Sequence, residues 1–237
     1  YQKDIECMSR QNMNALQLER LKQTVAYTYE NVPMYKKRFD EIGLKPSDIQ
    51  TLKDLQKIPF TVKTDLRDNY PFGLFAVPMK KIVRIHASSG TTGKPTVVGY
   101  TKHDLEVWSD LIARLVVQVG GGEDDVAQIA FGYGLFTGAL GLHYGLEKLG
   151  AAVVPTSSGN SEKQVMLMRD FGTTLLVATP SYALYLSEVM EEMGYKKDDF
   201  KLRLAMLGSE GHTEEMRAVL EDKLGVLATL YWSSSAA

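Results

Sequence analysis

The sequence predicts an α/β fold in which a helical N-terminal arm is followed by a largely parallel sheet flanked by helices. Three observations indicate this class. Apolar residues recur at three- and four-residue steps between Leu16 and Tyr29, as on one face of a helix. Beyond Lys81, short β-rich segments alternate with helical segments of about ten to fifteen residues, which is typical of parallel βαβ units. With 237 residues, 44% of them hydrophobic, the chain can also bury a sizeable core.

The composition narrows the possible partners. The net charge is −2, from 27 basic and 29 acidic residues, so nucleic acid and acidic membranes are not expected as main partners. No apolar run approaches the ~18 residues of a membrane span, and the polar first ten residues do not resemble a signal peptide. Cys7 is the single cysteine, which favours a reducing, cytoplasmic setting. Cys7 and the four histidines form no cluster with metal-ligand spacing, so no metal site is predicted from them.

The arm is predicted to be helical through about Ile42 and to break at Pro33, because the residue before a proline disfavours helical angles. A second helix over 35–42 would end at Gly43. Four prolines follow in 44–81, which predicts an irregular connection with short helices. We therefore expect two regions, a helical arm and wrapping segment over 1–80 and an α/β region over 81–237.

In the second region, two strands over 82–86 and 96–100 enclose a loop of small residues. Helices are then predicted at 103–119, 138–149, 161–171, 180–194 and 213–224, and strands at 126–131, 151–155, 174–178, 202–207 and 226–231. Ligands of such sheets bind at the carboxyl ends of the strands. The acidic run over 123–125 is interpreted as solvated surface.

The richest local signal is the loop over 87–96, which has the composition of an anion cradle. Gly90 and Gly93 permit backbone angles that bring main-chain N–H groups close to an anion, and Lys94 adds a positive charge. Four hydroxyls can donate to phosphate oxygens: Ser88, Ser89, Thr91 and Thr92.

A Walker A loop is excluded as the explanation of this loop. That motif needs a glycine where Ser88 stands and a Ser or Thr where Pro95 stands, and it leads into a helix rather than into the β-run over 96–100. The competing interpretation is a flexible surface loop between two strands.

The loop resembles the phosphate loop of the adenylate-forming superfamily, and further motifs resemble the phenylacetate–coenzyme A ligases within it. These motifs lie at 58–67, 70–73, 131–138 and 178–182. The resemblance runs from about Leu18 to about Leu227, and it implies that the chain corresponds to the N-terminal half of such a ligase, as part of its large N-terminal domain. It also implies the reaction: an acid is joined to the α-phosphate of ATP, and coenzyme A then displaces AMP.

The resemblance implies roles for particular residues. Ser88, Ser89, Gly90, Thr91, Thr92, Gly93 and Lys94 would bind the ATP phosphates. Tyr133, Phe136 and Gly138 would form the acyl pocket, since a flat aromatic wall suits an aryl ring. Gly208, Ser209 and Glu210 would line the adenine and ribose pocket.

Each of the pocket assignments has an alternative. The aromatic residues over 131–138 can be core packing, and Glu210 can lie near a helix N-terminus, where negative charge is favourable. The small-residue loop over 156–160 can border the pocket or be a simple turn. His143 is interpreted as a packed or surface histidine rather than a catalyst.

The C-terminal segment departs from the family pattern. The family carries Tyr-Gly-x-[Ser/Thr]-Glu, whose glutamate helps to hold Mg²⁺, whereas Trp232 follows Tyr231 here. The family's catalytic lysine and lid domain are expected beyond Ala237, so no catalytic residue is assigned and this chain alone is expected to turn over little or not at all.

Three hypotheses follow. The first is activation of phenylacetate or a related aromatic acid for phenylacetate catabolism, with ATP or AMP, Mg²⁺ and coenzyme A in the full-length enzyme. The second is a non-catalytic nucleotide-binding or interaction module, and the third is a ligase for another acid. Self-association is expected, because a sheet cut partway along exposes apolar surface.

Overall fold

The computed structural model of the protein describes residues 1–88 and 93–230 and divides into two compact units between Asp104 and Leu105. The boundary expected after residue 80 therefore falls inside the first unit. Gly99, in the second predicted strand, packs closely within this unit: a Cβ atom there would lie 2.6 Å from the ring of Phe75 and 3.1 Å from Ile82. As a functional division, the predicted regions 1–80 and 81–237 remain a prediction.

The first unit begins with the predicted helical arm. Its helices are α1 (Lys3–Glu6), α2 (Arg10–Asn31), α3 (Pro33–Glu41) and α4 (Lys63–Asp68), with short 3₁₀ helices at Pro46–Asp48, Leu52–Lys57 and Met79–Lys81. The predicted break at Pro33 is confirmed, although the second helix starts at the proline itself, because the fixed φ of proline suits the first helical position. Val25, Phe39, Leu44 and Ile49 form the buried core of this arm.

Two elements complete the first unit. Strands β1 (Arg84–Ala87) and β2 (Val97–Tyr100) pair antiparallel, with His86 opposite Val98, as the strand–loop–strand prediction requires. Arg38 secures the irregular segment between the arm and the strands: it donates to the carbonyl of Phe60 at 2.9 Å and forms an ion pair with Asp65 at 2.7 Å. The hydrogen bond that Arg38 donates to Asp65 lowers the pKa of this carboxyl group.

The second unit is built on a five-stranded parallel sheet. Its strands are β3 (Val126–Ile129), β4 (Ala152–Val154), β5 (Leu175–Ala178), β6 (Leu204–Leu207) and β7 (Leu227–Leu230), in the order β4-β3-β5-β6-β7. The helices are α5 (Lys102–Gln118), α6 (Gly138–Leu149), α7 (Ser161–Asp170), α8 (Pro180–Glu192) and α9 (Glu214–Leu224), with a 3₁₀ helix at Lys197–Asp199. The predicted fold class is confirmed.

Helices cover both faces of the sheet. Strands β5 and β6 are buried on both faces of the sheet, and alternate residues along each strand face two different core clusters. Leu176 and Leu207 pack with α7, α8 and α9, whereas Leu175 and Met206 pack with α5 and α6. This three-layer arrangement explains why the strands read as continuous apolar runs rather than as alternating ones.

Asp125 belongs to this framework, so its interpretation as solvated surface is wrong. Its carboxylate is 2% exposed and accepts from Thr174 at 2.6 Å, Gly122 N at 2.8 Å and Arg203 at 2.6 Å. Arg203 also donates to the carbonyl of Gly120. Together these bonds fasten the turn between α5 and β3 to the start of the sheet.

Across the described ranges, 1–88 and 93–230, no helix has both the length and the apolar character needed to cross a lipid bilayer.

Candidate functional site

The predicted phosphate loop lies in the first unit, and the structure describes only its two ends. Ser89, Gly90, Thr91 and Thr92 lie outside the described residues. At the neck, Ser88 N donates to the carbonyl of Thr96 and Thr96 N donates to Ser88 Oγ, both at 2.9 Å. The neck therefore extends the β1–β2 pairing into the base of the loop.

The far end of the loop is exposed to solvent. Gly93 has a φ of +132°, a backbone conformation that residues with side chains rarely adopt. Lys94 is exposed, and its ammonium lies 5.5 Å from the centroid of the Tyr70 ring. An exposed cation beside a loop neck is compatible with an anion site, and the phosphate-binding roles remain predictions.

The predicted acyl and adenine residues lie in the second unit, at the carboxyl edge of its sheet. The chain leaves β3 toward β4 on one side and leaves β5 toward β6 on the other, so the direction of winding reverses between β3 and β5. Such a switch point opens a crevice where ligands bind in doubly wound sheets. Four loops flank this edge, over 130–137, 155–160, 179 and 208–213.

The loop after β3 carries the predicted acyl residues. Tyr133 is partly buried against the core cluster of α5 and α6, whereas Phe136 is 46% exposed. Gly138 begins α6, and a Cβ atom there would lie 3.6 Å from the Phe136 ring and 3.9 Å from Phe131. The alternative that these aromatic residues are core packing therefore applies to Tyr133 in part, but it does not apply to Phe136.

His143 contacts Tyr133 directly, which sequence reasoning did not anticipate. Tyr133 Oη lies 3.1 Å from His143 Nδ1, and His143 Nε2 lies 3.0 Å from Glu147 Oε1. The tyrosine and histidine rings meet edge to face, with centroids 5.8 Å apart and an interplanar angle of 88°. Burial, with a smaller contribution from the charge of Glu147, raises the pKa of Tyr133 to about 12, so its hydroxyl stays protonated at neutral pH.

The loop after β4 is ordered by a buried glutamine, Gln164, in α7. Its Nε2, which carries two protons, lies 2.9 and 3.0 Å from the carbonyls of Ser157 and Gly159 and 3.1 Å from Tyr182 Oη. Its Oε1 accepts from Thr156 at 3.0 Å. The loop over 156–160 is therefore a fastened structure rather than a simple turn.

This loop also touches the loop after β3. Ser157 and Asn160 adopt left-handed φ values of 63° and 50°, which turn the backbone sharply at both ends of the loop. Tyr133 N lies 3.5 Å from Ser157 Oγ, and a Cβ atom on Gly132 would lie 3.5 Å from Ser158 Oγ. The 156–160 loop thus borders the Tyr133 loop.

The loop after β6 reaches across to the N-terminus of α8. Glu210 accepts from Ser181 Oγ at 2.6 Å and from Ser181 N at 3.3 Å. Glu210 thus meets α8, the helix before β6, whereas the N-terminus of α9, the helix after β6, is capped by Thr213. Gly208 is buried and donates to Ala178 of β5, and Ser209 has a φ of +68°. Both the helix-terminus alternative and the adenine assignment stay compatible with this position.

The structure therefore joins the sheet-edge loops in two groups. One group links Tyr133 through Ser157 and Gln164 to Tyr182, and the other links Ser181 to Glu210. Gln164 is the position that the sequence analysis did not single out, and the contact of His143 with Tyr133 was not predicted. The i,i+4 spacing of His143 and Glu147 was visible as a signal, but the contact of His143 with Tyr133 in the preceding loop was not.

No cluster of three or more His, Cys, Asp or Glu side chains able to hold a metal ion occurs among the residues that the structure describes.

Comparison with known proteins places this architecture among acid–coenzyme A ligases. The chain is 53% identical over 222 residues to a phenylacetate–coenzyme A ligase of Aromatoleum evansii, covering 94% of this chain and 50% of that one. It is 51% identical over 229 residues to the ligase of the same name from Thermus thermophilus, covering 97% and 52%. The chain spans about half the length of the curated relatives it matches. No protein-family model matches it.

Solved structures give the same result for the fold. Crystal structures of 2-hydroxyisobutyryl-CoA ligase in complex with 2-HIB-AMP and CoA align with TM-scores of 0.88 and 0.89 at 28% and 29% identity. The alignments cover 95% and 96% of this chain, and 54% and 50% of the two ligase chains. The resemblance to phenylacetate–coenzyme A ligases and to the adenylate-forming fold, predicted from the motifs, is thereby confirmed.

Proposed function

We propose, from this similarity to phenylacetate–coenzyme A ligases, that the chain forms the acid- and nucleotide-binding part of a ligase that activates phenylacetate or a related aromatic acid. The acid is converted to an acyl-adenylate and then to its coenzyme A thioester. The observation that carries the proposal is the 51–53% identity to curated phenylacetate–coenzyme A ligases over at least 90% of this chain.

The chemistry requires that a carboxylate approach an anionic triphosphate. Backbone N–H groups, hydroxyls and the Lys94 ammonium of the loop over 88–94 would oppose that charge and hold the phosphates. The exposed position of Lys94 supports this role, since a cation in solvent is free to turn toward an arriving nucleotide.

The acid would bind at the switch point of the sheet. Tyr133 and Phe136 offer one partly buried and one exposed aromatic ring there, which suits an aryl group better than an aliphatic chain. Gly208, Ser209 and Glu210, at the end of β6, would line the adenine and ribose.

A chimera tests the reaction. In it, this chain replaces the matched half of the Aromatoleum evansii ligase, and AMP release is measured with ATP, coenzyme A and phenylacetate. We expect AMP release that depends on all three substrates. A folded chimera that responds only to other carboxylic acids would show a ligase for another acid, and one that responds to none would contradict the proposal.

Nucleotide binding by the chain alone tests the loop. We expect weak ATP binding by calorimetry, lowered about fivefold by Lys94→Ala, the scale of one exposed charge contact. The matched control is Lys53→Ala, which removes an exposed lysine from a 3₁₀ helix of the same unit. Equal affinity in both variants would refute the role of Lys94, and no binding by the unmodified chain would favour an interaction module.

The proposal also includes four further expectations from the sequence analysis. They are a role in phenylacetate catabolism, a cytoplasmic setting, Mg²⁺ held by the whole enzyme, and self-association. Edge strand β7 supports the last of these, since Leu227 and Leu230 are 54% and 44% exposed.

A further inference from the structure

Tyr133, His143 and Glu147 form a hydrogen-bonded row at the edge of the predicted acyl pocket. His143 and Glu147 lie one turn apart on α6, and Tyr133 lies in the loop that leads into this helix. The histidine side chain is 20% exposed and the glutamate side chain 52% exposed, so the row runs from solvent toward the core cluster.

The chemistry of the three groups sets the order of donors. An ionised Glu147 can only accept, so the proton of a neutral His143 resides on Nε2, 3.0 Å away. His143 Nδ1 is then an acceptor, and the Tyr133 hydroxyl donates to it across 3.1 Å. The Tyr133 hydroxyl, whose pKa burial raises to about 12, carries the proton for this donation at neutral pH.

The loop needs such an anchor. Tyr133 is flanked by Gly132 and Gly134, whose backbones restrict the chain little, and the next residue, Leu135, is 66% exposed. The backbone nitrogen of Tyr133 contacts Ser157 Oγ at 3.5 Å, which is at the long limit of a hydrogen bond. The hydroxyl of Tyr133 therefore makes a shorter hydrogen bond than its backbone nitrogen does.

We propose that His143 and Glu147 are positioning residues, which hold the Tyr133 ring in place as a wall of the acyl pocket. They influence the affinity for the aryl group without touching it, because their hydrogen bonds are directed to the far end of the ring and to each other. This inference rests on the proposed function, since it takes the Tyr133 loop as the acid site.

A double-mutant cycle in the 237-residue chain tests the coupling. The variants are Tyr133→Phe, His143→Leu and the double substitution, and calorimetry measures the affinity for phenylacetyl sulfamoyl adenosine, a stable mimic of the acyl-adenylate. Each single substitution is expected to weaken binding about fivefold, and the double variant to bind no more weakly than the weaker single variant. Additive losses would overturn the inference.

Exposed Glu147 provides a second test that does not disturb the core. Glu147→Gln keeps an acceptor for His143 Nε2–H and should bind the mimic as the unmodified chain does, whereas Glu147→Ala should bind about twofold to fivefold more weakly. Nitrogen NMR of the histidine ring should show the Nε2–H tautomer in the unmodified chain and a mixture in Glu147→Ala. A proton on Nδ1 in the unmodified chain would overturn the donor order.

The outcomes separate the two proposals. If the unmodified chain binds the mimic and the His143 and Glu147 variants bind it equally well, the positioning role fails and the proposed function stands. If the unmodified chain does not bind the mimic at all, the assignment of the acid site fails, and the positioning role fails with it.

Discussion

The close packing of α5 on α6 predicts a large effect of adding one methyl group at Gly145. A Cβ atom there would lie 2.2 Å from Ile112 Cγ2, 2.4 Å from Ile112 Cβ and 3.3 Å from the backbone nitrogen of Ala113. Carbon atoms in contact are normally about 3.5–4.0 Å apart. Since Ile112 Cβ is bonded to the backbone, a change of rotamer cannot remove the clash, and the two helices must separate by roughly 1–2 Å.

The expected cost follows from two opposing contributions. Overpacking a well-packed core costs about 1–3 kcal/mol, and the greater strain of this contact places Gly145→Ala at or above the upper end. Replacing a helical glycine by alanine recovers about 1 kcal/mol. We expect a net loss of about 2 kcal/mol, which for a chain of this size lowers the midpoint of thermal unfolding by about 4–8 °C.

Gly138→Ala is the matched control, because it adds the same methyl group to the same helix. Its nearest neighbour would be the Phe136 ring at 3.6 Å, an ordinary contact, so stability should change by no more than about 0.5 kcal/mol. Thermal and urea unfolding followed by circular dichroism measure both variants. Combining Gly145→Ala with Ile112→Ala should cost less than the sum of the single changes, since the smaller side chain lets the helices adjust.

An equal response to the two glycine substitutions would refute this reasoning. It would mean that α5 and α6 do not approach each other as closely at Gly145 as the structure shows.

Three further predictions concern buried polar groups. Gln164→Leu leaves the Tyr182 hydroxyl and the Ser157 and Gly159 carbonyls without this partner, so it should destabilise the chain by about 2–4 kcal/mol in urea unfolding, whereas the exposed Gln118→Leu should have little effect. Arg203→Met removes the cation from the buried Asp125 carboxylate and should cost about 2 kcal/mol, whereas Arg217→Met, which breaks an exposed pair with Glu214, should leave unfolding nearly unchanged. The pKa of Tyr133 is raised from 10.0 to about 12, so the stability due to its neutral form is present below pH 10 and is lost as the pH rises toward 12. Across that range, the midpoint of thermal unfolding should fall less steeply with pH in Tyr133→Phe than in the unmodified chain. Identical slopes would contradict the assignment.

The sequence by itself determined the elements of the second unit and the edge at which a site could form. The helix predicted over 138–149 is observed at Gly138–Leu149, and the strand predicted over 174–178 is observed at Leu175–Ala178. Such elements follow from the spacing of apolar residues within a few positions, together with nearby caps such as Thr179 and Thr213. The alternation of strands and helices was enough to indicate a parallel sheet.

The tertiary structure alone decided which residues meet at that edge. The order β4-β3-β5-β6-β7 locates the switch point between β3 and β5, and this order depends on how the layers pack rather than on any local pattern. Glu210 meets Ser181, 29 positions away in the chain, and Gln164 meets Tyr182, 18 positions away. Side chains so far apart in sequence become neighbours only when burial of both sheet faces brings their loops together, so no periodicity in the sequence records the contact.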